Sequence, residues 1–134
     1  MKSTLNQLAN INNPYQGKSK KVLCLCSAGL LRSPTAANVL HREFGFNTRS
    51  AGVMDYALIP LSEALFLWAD EVLVMDIQHY LMLRVFITEN LSESITEDLM
   101  KKVFVLNIPD KFEFMNIELQ ELILKNYKEK EDKK

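Results

Sequence analysis

Val22-Leu23-Cys24-Leu25-Cys26-Ser27-Ala28-Gly29-Leu30-Leu31-Arg32-Ser33-Pro34 is the stretch from which the rest of the chain is read. Val22 to Cys26 is an apolar run of strand length, as expected for a strand buried on both faces. Small residues follow, and regular structure resumes at Ser33-Pro34. Serine suits an N-cap there, and proline suits the first helical position, where a missing N–H costs nothing. Thr35 to Phe44 then reads as a helix, stopped by Gly45 just past its end. A strand, a tight loop and a helix N-terminus gather unpaired N–H groups and the positive end of the helix dipole. The segment therefore reads as an anion site.

Two side chains give that site a chemistry. Cys26 stands where strand gives way to loop, and Arg32 closes the loop six residues later. N–H groups, a helix dipole and a guanidinium around one sulfur favour its thiolate, the nucleophilic form. A planar guanidinium grips two oxygens of a tetrahedral oxyanion at once, which a lysine cannot do. The backbone of Ser27, Ala28, Gly29, Leu30 and Leu31 would hold the anion with Arg32, while the Ser33 hydroxyl steadies the sulfur. That arrangement fits phosphoryl transfer to sulfur. The cysteine–arginine spacing is a weak signal alone, because many free cysteines are merely small buried hydrophobes. The strand before it and the Ser-Pro and helix after it carry the reading.

The segment resembles the phosphate-binding loop of the low-molecular-weight protein tyrosine phosphatase family, whose pattern is Cys, five residues, Arg-Ser-Pro. Further matches follow in order: Arg49-Ser50-Ala51-Gly52, then Trp68-Ala69-Asp70-Glu71-Val72-Leu73-Val74-Met75-Asp76, then Ile108-Pro109-Asp110 where the family carries its acid loop. The resemblance spans residues 21 to 124, and within the family it is nearest the short bacterial and phage branch. It implies a cysteine-dependent phosphatase acting on phosphotyrosine or aryl phosphate monoesters through a phosphocysteine, with no cofactor and no metal. The implied partners are a phosphorylated protein or small aryl phosphate, with inorganic phosphate or sulfate able to occupy the loop.

Composition agrees with one soluble domain. The chain has 134 residues, 48% hydrophobic and 25% charged, which is enough to bury a core without metals or disulfides. A formal net charge of −1 leaves no electrostatic footprint for nucleic acid or an anionic membrane. No apolar run approaches membrane-spanning length. The two cysteines, spaced Cys-x-Cys, form no disulfide framework. With no signal-peptide core at the start, the expected compartment is the cytoplasm.

Residues 1–20 are expected to be a polar, loosely attached extension, residues 21–127 the domain, and residues 128–134 a charged tail that frays into solvent. Later strands are expected at Asn47–Ala51, Glu71–Met75 and Val103–Leu106. Helices are expected at Pro60–Ala69 with Ser62 as a possible cap, from Asp76 to about Phe86, and after Asn116; a short one is capped by Ser94 or Thr96. Strands alternating with helices give an α/β fold: a four-stranded parallel sheet flanked by helices on both faces, of the phosphotyrosine protein phosphatase I type. Such sheets carry their sites beyond the carboxyl ends of the strands, which gathers Cys26, Asp76 and Asp110 on one rim.

Hydrolysis of a phosphomonoester needs a proton for the leaving oxygen, then a base for water, and one carboxyl group can serve both steps. Asp76 directly precedes a helix and reads as an N-cap. Asp110 lies in a loop, between apolar neighbours that would help it hold a proton. The family comparison also makes Asp110 the acid. His41 and His79 fall within helical patterns and need no catalytic role.

Three departures from the family pattern stand out. Ala28-Gly29 replaces a Gly-Asn pair, Leu31 replaces a second loop cysteine, and Lys111-Phe112 follows Asp110, with Phe112 or Tyr56 available to flank an aromatic substrate. Cys24 reads as core. Two other functions share this scaffold: a non-catalytic phosphate or phosphoprotein sensor, and an arsenate reductase. The reductase normally needs shuttling cysteines downstream, and none follows Cys26.

Overall fold

The computed structural model describes residues 10–11, 19–29, 31–54 and 56–133. Its strands are β1 (Asn10–Ile11), β2 (Lys21–Cys26), β3 (Asn47–Gly52), β4 (Glu71–Val74) and β5 (Val103–Val105). Its α-helices are α1 (Arg32–Phe44), α2 (Glu63–Trp68), α3 (Ile77–Asn90), α4 (Thr96–Met100) and α5 (Ile117–Asp132), with a 3₁₀ turn at Glu93–Ile95. Among these residues no helix is long and apolar enough to cross a membrane.

The sheet order is β1-β3-β2-β4-β5. β2 to β5 form the expected four parallel strands. β1 adds a fifth, antiparallel strand, with Asn10 opposite Arg49 and Ile11 opposite Thr48. Part of the expected loose extension is therefore docked on the sheet edge; residues 1–9 and 12–18 lie outside the described residues.

Strand alternation builds the two faces. Val22, Cys24 and Cys26 point into one core with Ala36, Val39 and Leu40 of α1 and with Leu119, Ile123 and Tyr127 of α5. Leu23 and Leu25 point into the other, with Phe66 of α2, Leu83 and Ile87 of α3 and Met100 of α4. β2 is covered on both sides, which is why it reads as an unbroken apolar run. Cys24 is wholly buried, and burial pushes its thiol well above the ordinary value, as expected of a core residue.

Local signals explain most boundaries. Gly45 ends α1 in the left-handed conformation at φ 71° and donates its N–H to His41 O at 2.9 Å. Ser62 caps α2, Asp76 caps α3 and Asn116 caps α5, each accepting a backbone N–H near its helix start. α3 runs past the expected Phe86 to Asn90. Ser92 caps the 3₁₀ turn that leads into α4, a role expected of Ser94 or Thr96.

α5 continues to Asp132 instead of fraying at Lys128. Its last turns are held by an ionic cluster. Lys130 Nζ lies 2.8 Å from Glu71 Oε2 on β4, and Lys20 Nζ lies 3.2 Å from Glu131 Oε1. Burial raises the Glu131 carboxyl, but hydrogen bonds from Tyr127 and Lys20 and the charges of Lys130 and Lys20 outweigh it, bringing it to about 2.

Candidate active site

Cys26 ends β2, Asp76 follows β4 and Asp110 follows β5, so all three stand at the carboxyl rim of the parallel sheet. Cys26 and Asp110 share a cavity of about 280 Å³, lined also by Ser27, Ala28, Leu31, Arg32 and Tyr56. Leu30 was expected in this loop and lies outside the described residues.

The sulfur is enclosed but not among aliphatic groups alone. Ser33 Oγ is 3.0 Å from Cys26 Sγ, and the Gly29 N–H points at the same sulfur at 3.2 Å. Gly29 does this at φ 73°, a conformation glycine adopts without steric cost. Gly52 also has a specific reason: a Cβ there would stand 2.6 Å from Ser27 O, so only glycine lets the end of β3 pass under the loop.

α1 starts differently from expectation. Its first residue is Arg32, and the N-cap is Leu31, which makes no side-chain capping bond. Ser33 is not the cap because its hydroxyl faces Cys26 and lies 3.4 Å from Ala51 O. The site takes a residue that the helix would otherwise use.

Arg32 is only 3% exposed, so its charge needs partners. Nη1 donates to Asp76 Oδ2 at 3.2 Å and to Ile108 O at 2.9 Å, and Nε lies 3.6 Å from Asp110 Oδ1. Asp76 thus has two duties. Its Oδ1 caps α3, accepting from Gln78 N at 2.9 Å and His79 N at 3.4 Å, while Oδ2 takes the arginine. Partial burial raises its carboxyl, but His79, Arg32 and the two capping N–H groups outweigh that and hold it below the usual range.

Asp110 does not sit among apolar neighbours as expected: its side chain is 69% exposed at the rim. Phe112 is buried in the core of the α1/α5 face and is no wall of the cavity. Tyr56, 65% exposed, is the aromatic residue that lines it.

His79 is the residue the sequence reading passed over. It is 2% exposed, and its Nε2 lies 3.0 Å from Ser27 Oγ in the loop. Asp76-x-x-His79 has capping-box spacing with histidine where glutamate is usual, and that substitution was the available signal.

The fold has counterparts in solved structures. Wzb of Vibrio vulnificus, solved with benzylphosphonate, aligns at a TM-score of 0.63 and 21% identity, over 87% of this chain and 100% of that one. The tyrosine phosphatase Wzb of Escherichia coli K30, solved with phosphate, aligns at 0.62 and 20% identity, over 87% and 99%. The chain has the low-molecular-weight tyrosine phosphatase fold. The YwlE arginine phosphatase of Geobacillus stearothermophilus shares the phosphatase fold too, at a TM-score of 0.58 and 22% identity over 85% of this chain and 94% of that one. No protein-family model and no curated protein matches the sequence.

Proposed function

We propose that the chain is a cysteine-dependent phosphatase acting on phosphotyrosine or a related aryl phosphate. One observation carries the reading: the sulfur of Cys26, the guanidinium of Arg32 and the carboxyl of Asp110 line a single cavity of about 280 Å³. Phosphatases of tyrosine and of arginine share the fold, which supports phosphate-ester or phosphoramidate chemistry at this rim. The exposed ring of Tyr56 in the cavity lining supports an aromatic leaving group over an aliphatic one.

In this reading the Cys26 thiolate attacks phosphorus as the bond to the ester oxygen breaks. Asp110 delivers its proton to that oxygen. Arg32 and the loop N–H groups hold the equatorial oxygens, where charge concentrates in the transition state. Ser33 directs its hydroxyl hydrogen to the sulfur, lowering the energy of the thiolate as leaving group in the second step. Asp110, now a carboxylate, takes a proton from water, which attacks phosphorus and breaks the P–S bond. Inorganic phosphate and the thiolate result, and every proton is accounted for.

The test is a rapid-mix assay with p-nitrophenyl phosphate. A burst of p-nitrophenol stoichiometric with enzyme is expected, together with a phosphocysteine recoverable from the Asp110→Asn protein after acid quench. Undiminished turnover by Cys26→Ser would sink the mechanism. Phosphate binding with no turnover at all would favour a sensor.

A further inference from the structure

Ser27 and His79 are far apart in the chain and meet beside the cavity. The two ring nitrogens of His79 have different partners. Nδ1 accepts the backbone N–H of Asp76 at 3.3 Å, closing the capping box at the start of α3. A nitrogen that accepts carries no hydrogen, so in the neutral ring the proton sits on Nε2. Nε2–H then donates to Ser27 Oγ across 3.0 Å. With its proton on Nε2, the ring cannot take one from Ser27, so the pair is not a nucleophile and its base.

What remains is the hydroxyl's own hydrogen. A serine oxygen has one hydrogen to give, and His79 uses only a lone pair. Among the described residues this is the hydrogen bond of the Ser27 hydroxyl, and Ser27 lines the cavity beside Cys26 and Arg32. Burial, more than the surrounding charges, keeps the ring neutral. Burial pushes His79 below its ordinary value; Asp76 opposes this, Arg32 adds to it, and Asp110 opposes it.

We propose that His79 is a positioning residue that fixes the Ser27 hydroxyl as a hydrogen-bond donor to an oxygen of the tetrahedral anion in the cavity. The proposal rests on reading the cavity as a phosphate site. It gives the loop a neutral side-chain donor besides its backbone N–H groups and Arg32. It also makes anion affinity depend on a residue of α3 that does not line the cavity.

The experiment titrates inorganic phosphate into the wild-type chain, Ser27→Ala, Ser27→Thr, His79→Asn and the Ser27→Ala/His79→Asn double variant by calorimetry, with a melting curve for each. Asparagine keeps an acceptor for the Asp76 N–H but is too short to reach Ser27. Ser27→Ala is expected to weaken phosphate binding roughly 3- to 10-fold, the loss of one neutral hydrogen bond. Threonine restores it. His79→Asn matches the alanine loss, and the double variant binds no more weakly than Ser27→Ala alone, because both changes remove the same contact. Unchanged affinity in Ser27→Ala overturns the proposal, as do losses that add in the double variant. Wild-type protein that binds no phosphate overturns the phosphate-site reading itself, so the two failures are distinct. Should His79→Asn not fold, the ring nitrogen shifts of the wild-type chain decide the positioning role: a neutral ring protonated on Nε2 supports it, and a proton on Nδ1 overturns it.

Discussion

Nη1 of Arg32 donates to the main-chain oxygen of Ile108 at 2.9 Å, tying the arginine of the loop to the segment that carries Asp110. The same guanidinium reaches the carboxylate of Asp76. Segments that follow β2, β4 and β5 therefore converge on one planar cation. These two bonds use one nitrogen of the guanidinium and leave its other donors for an anion, a division that the single ammonium of a lysine cannot make. Arg32→Lys is expected to lower kcat/KM for p-nitrophenyl phosphate by about 10²- to 10³-fold, through lost stabilisation of developing charge. Steady-state kinetics on the purified variant check this.

Gly29 should tolerate no side chain. A Cβ there would stand 2.9 Å from Ala51 C and 3.0 Å from Gly52 N, at a φ of 73° that L-residues rarely adopt. Gly29→Ala is expected to destabilise the fold by about 1–3 kcal/mol. It would also pull the Gly29 N–H away from the sulfur. Urea unfolding reads the first effect, and the amplitude of the p-nitrophenol burst reads the second.

The exposed position of Asp110 suits an acid that must reach a substrate oxygen and then a water. Its replacement by asparagine should matter most where the departing group most needs a proton. Asp110→Asn is expected to slow phenyl phosphate turnover by about 10²- to 10⁴-fold and p-nitrophenyl phosphate turnover by much less. Equal losses on the two substrates would remove Asp110 from the acid role.

Stability should fall on acidification, in two stages. The native state holds His79 below its ordinary 6.5 and Asp76 below its ordinary 3.8. In each case the unfolded chain binds the proton first, so stability is complete above the unfolded value and declines as pH drops toward the folded one. The first decline begins near pH 6.5 and belongs to His79; the second begins near pH 4 and belongs to Asp76. Melting temperatures between pH 8 and pH 3 should show both, and His79→Asn should flatten the first.

The parts of this molecule legible in its sequence were those governed by local chemistry. Cys26 at a strand end, Gly45 past a helix end and Ser62 before one each declare themselves within a few residues. Asp76 was read as a cap, which it is, but its second oxygen serves Arg32, and only the folded sheet brings those two together. Of the two roles Ser33 suggests in sequence, helix cap and support for the sulfur, the fold keeps the second: its hydroxyl faces Cys26, and Leu31 stands at the N-cap. Helical spacing explains most histidines, and the capping-box spacing to Asp76, the one local signal at His79, does not point across to Ser27. α5 outran its expected end because Glu71, on the far side of the chain, supplies the counter-charge for Lys130.

β1 has a consequence for how the molecule behaves in company. Two residues laid antiparallel along Arg49 and Thr48 occupy backbone groups that would otherwise invite strands from neighbouring molecules. Removing residues 1–18 should therefore leave p-nitrophenyl phosphate turnover nearly untouched, since β1 pairs with Thr48 and Arg49 and not with the loop after Cys26, while making the protein self-associate as concentration rises, which light scattering would register.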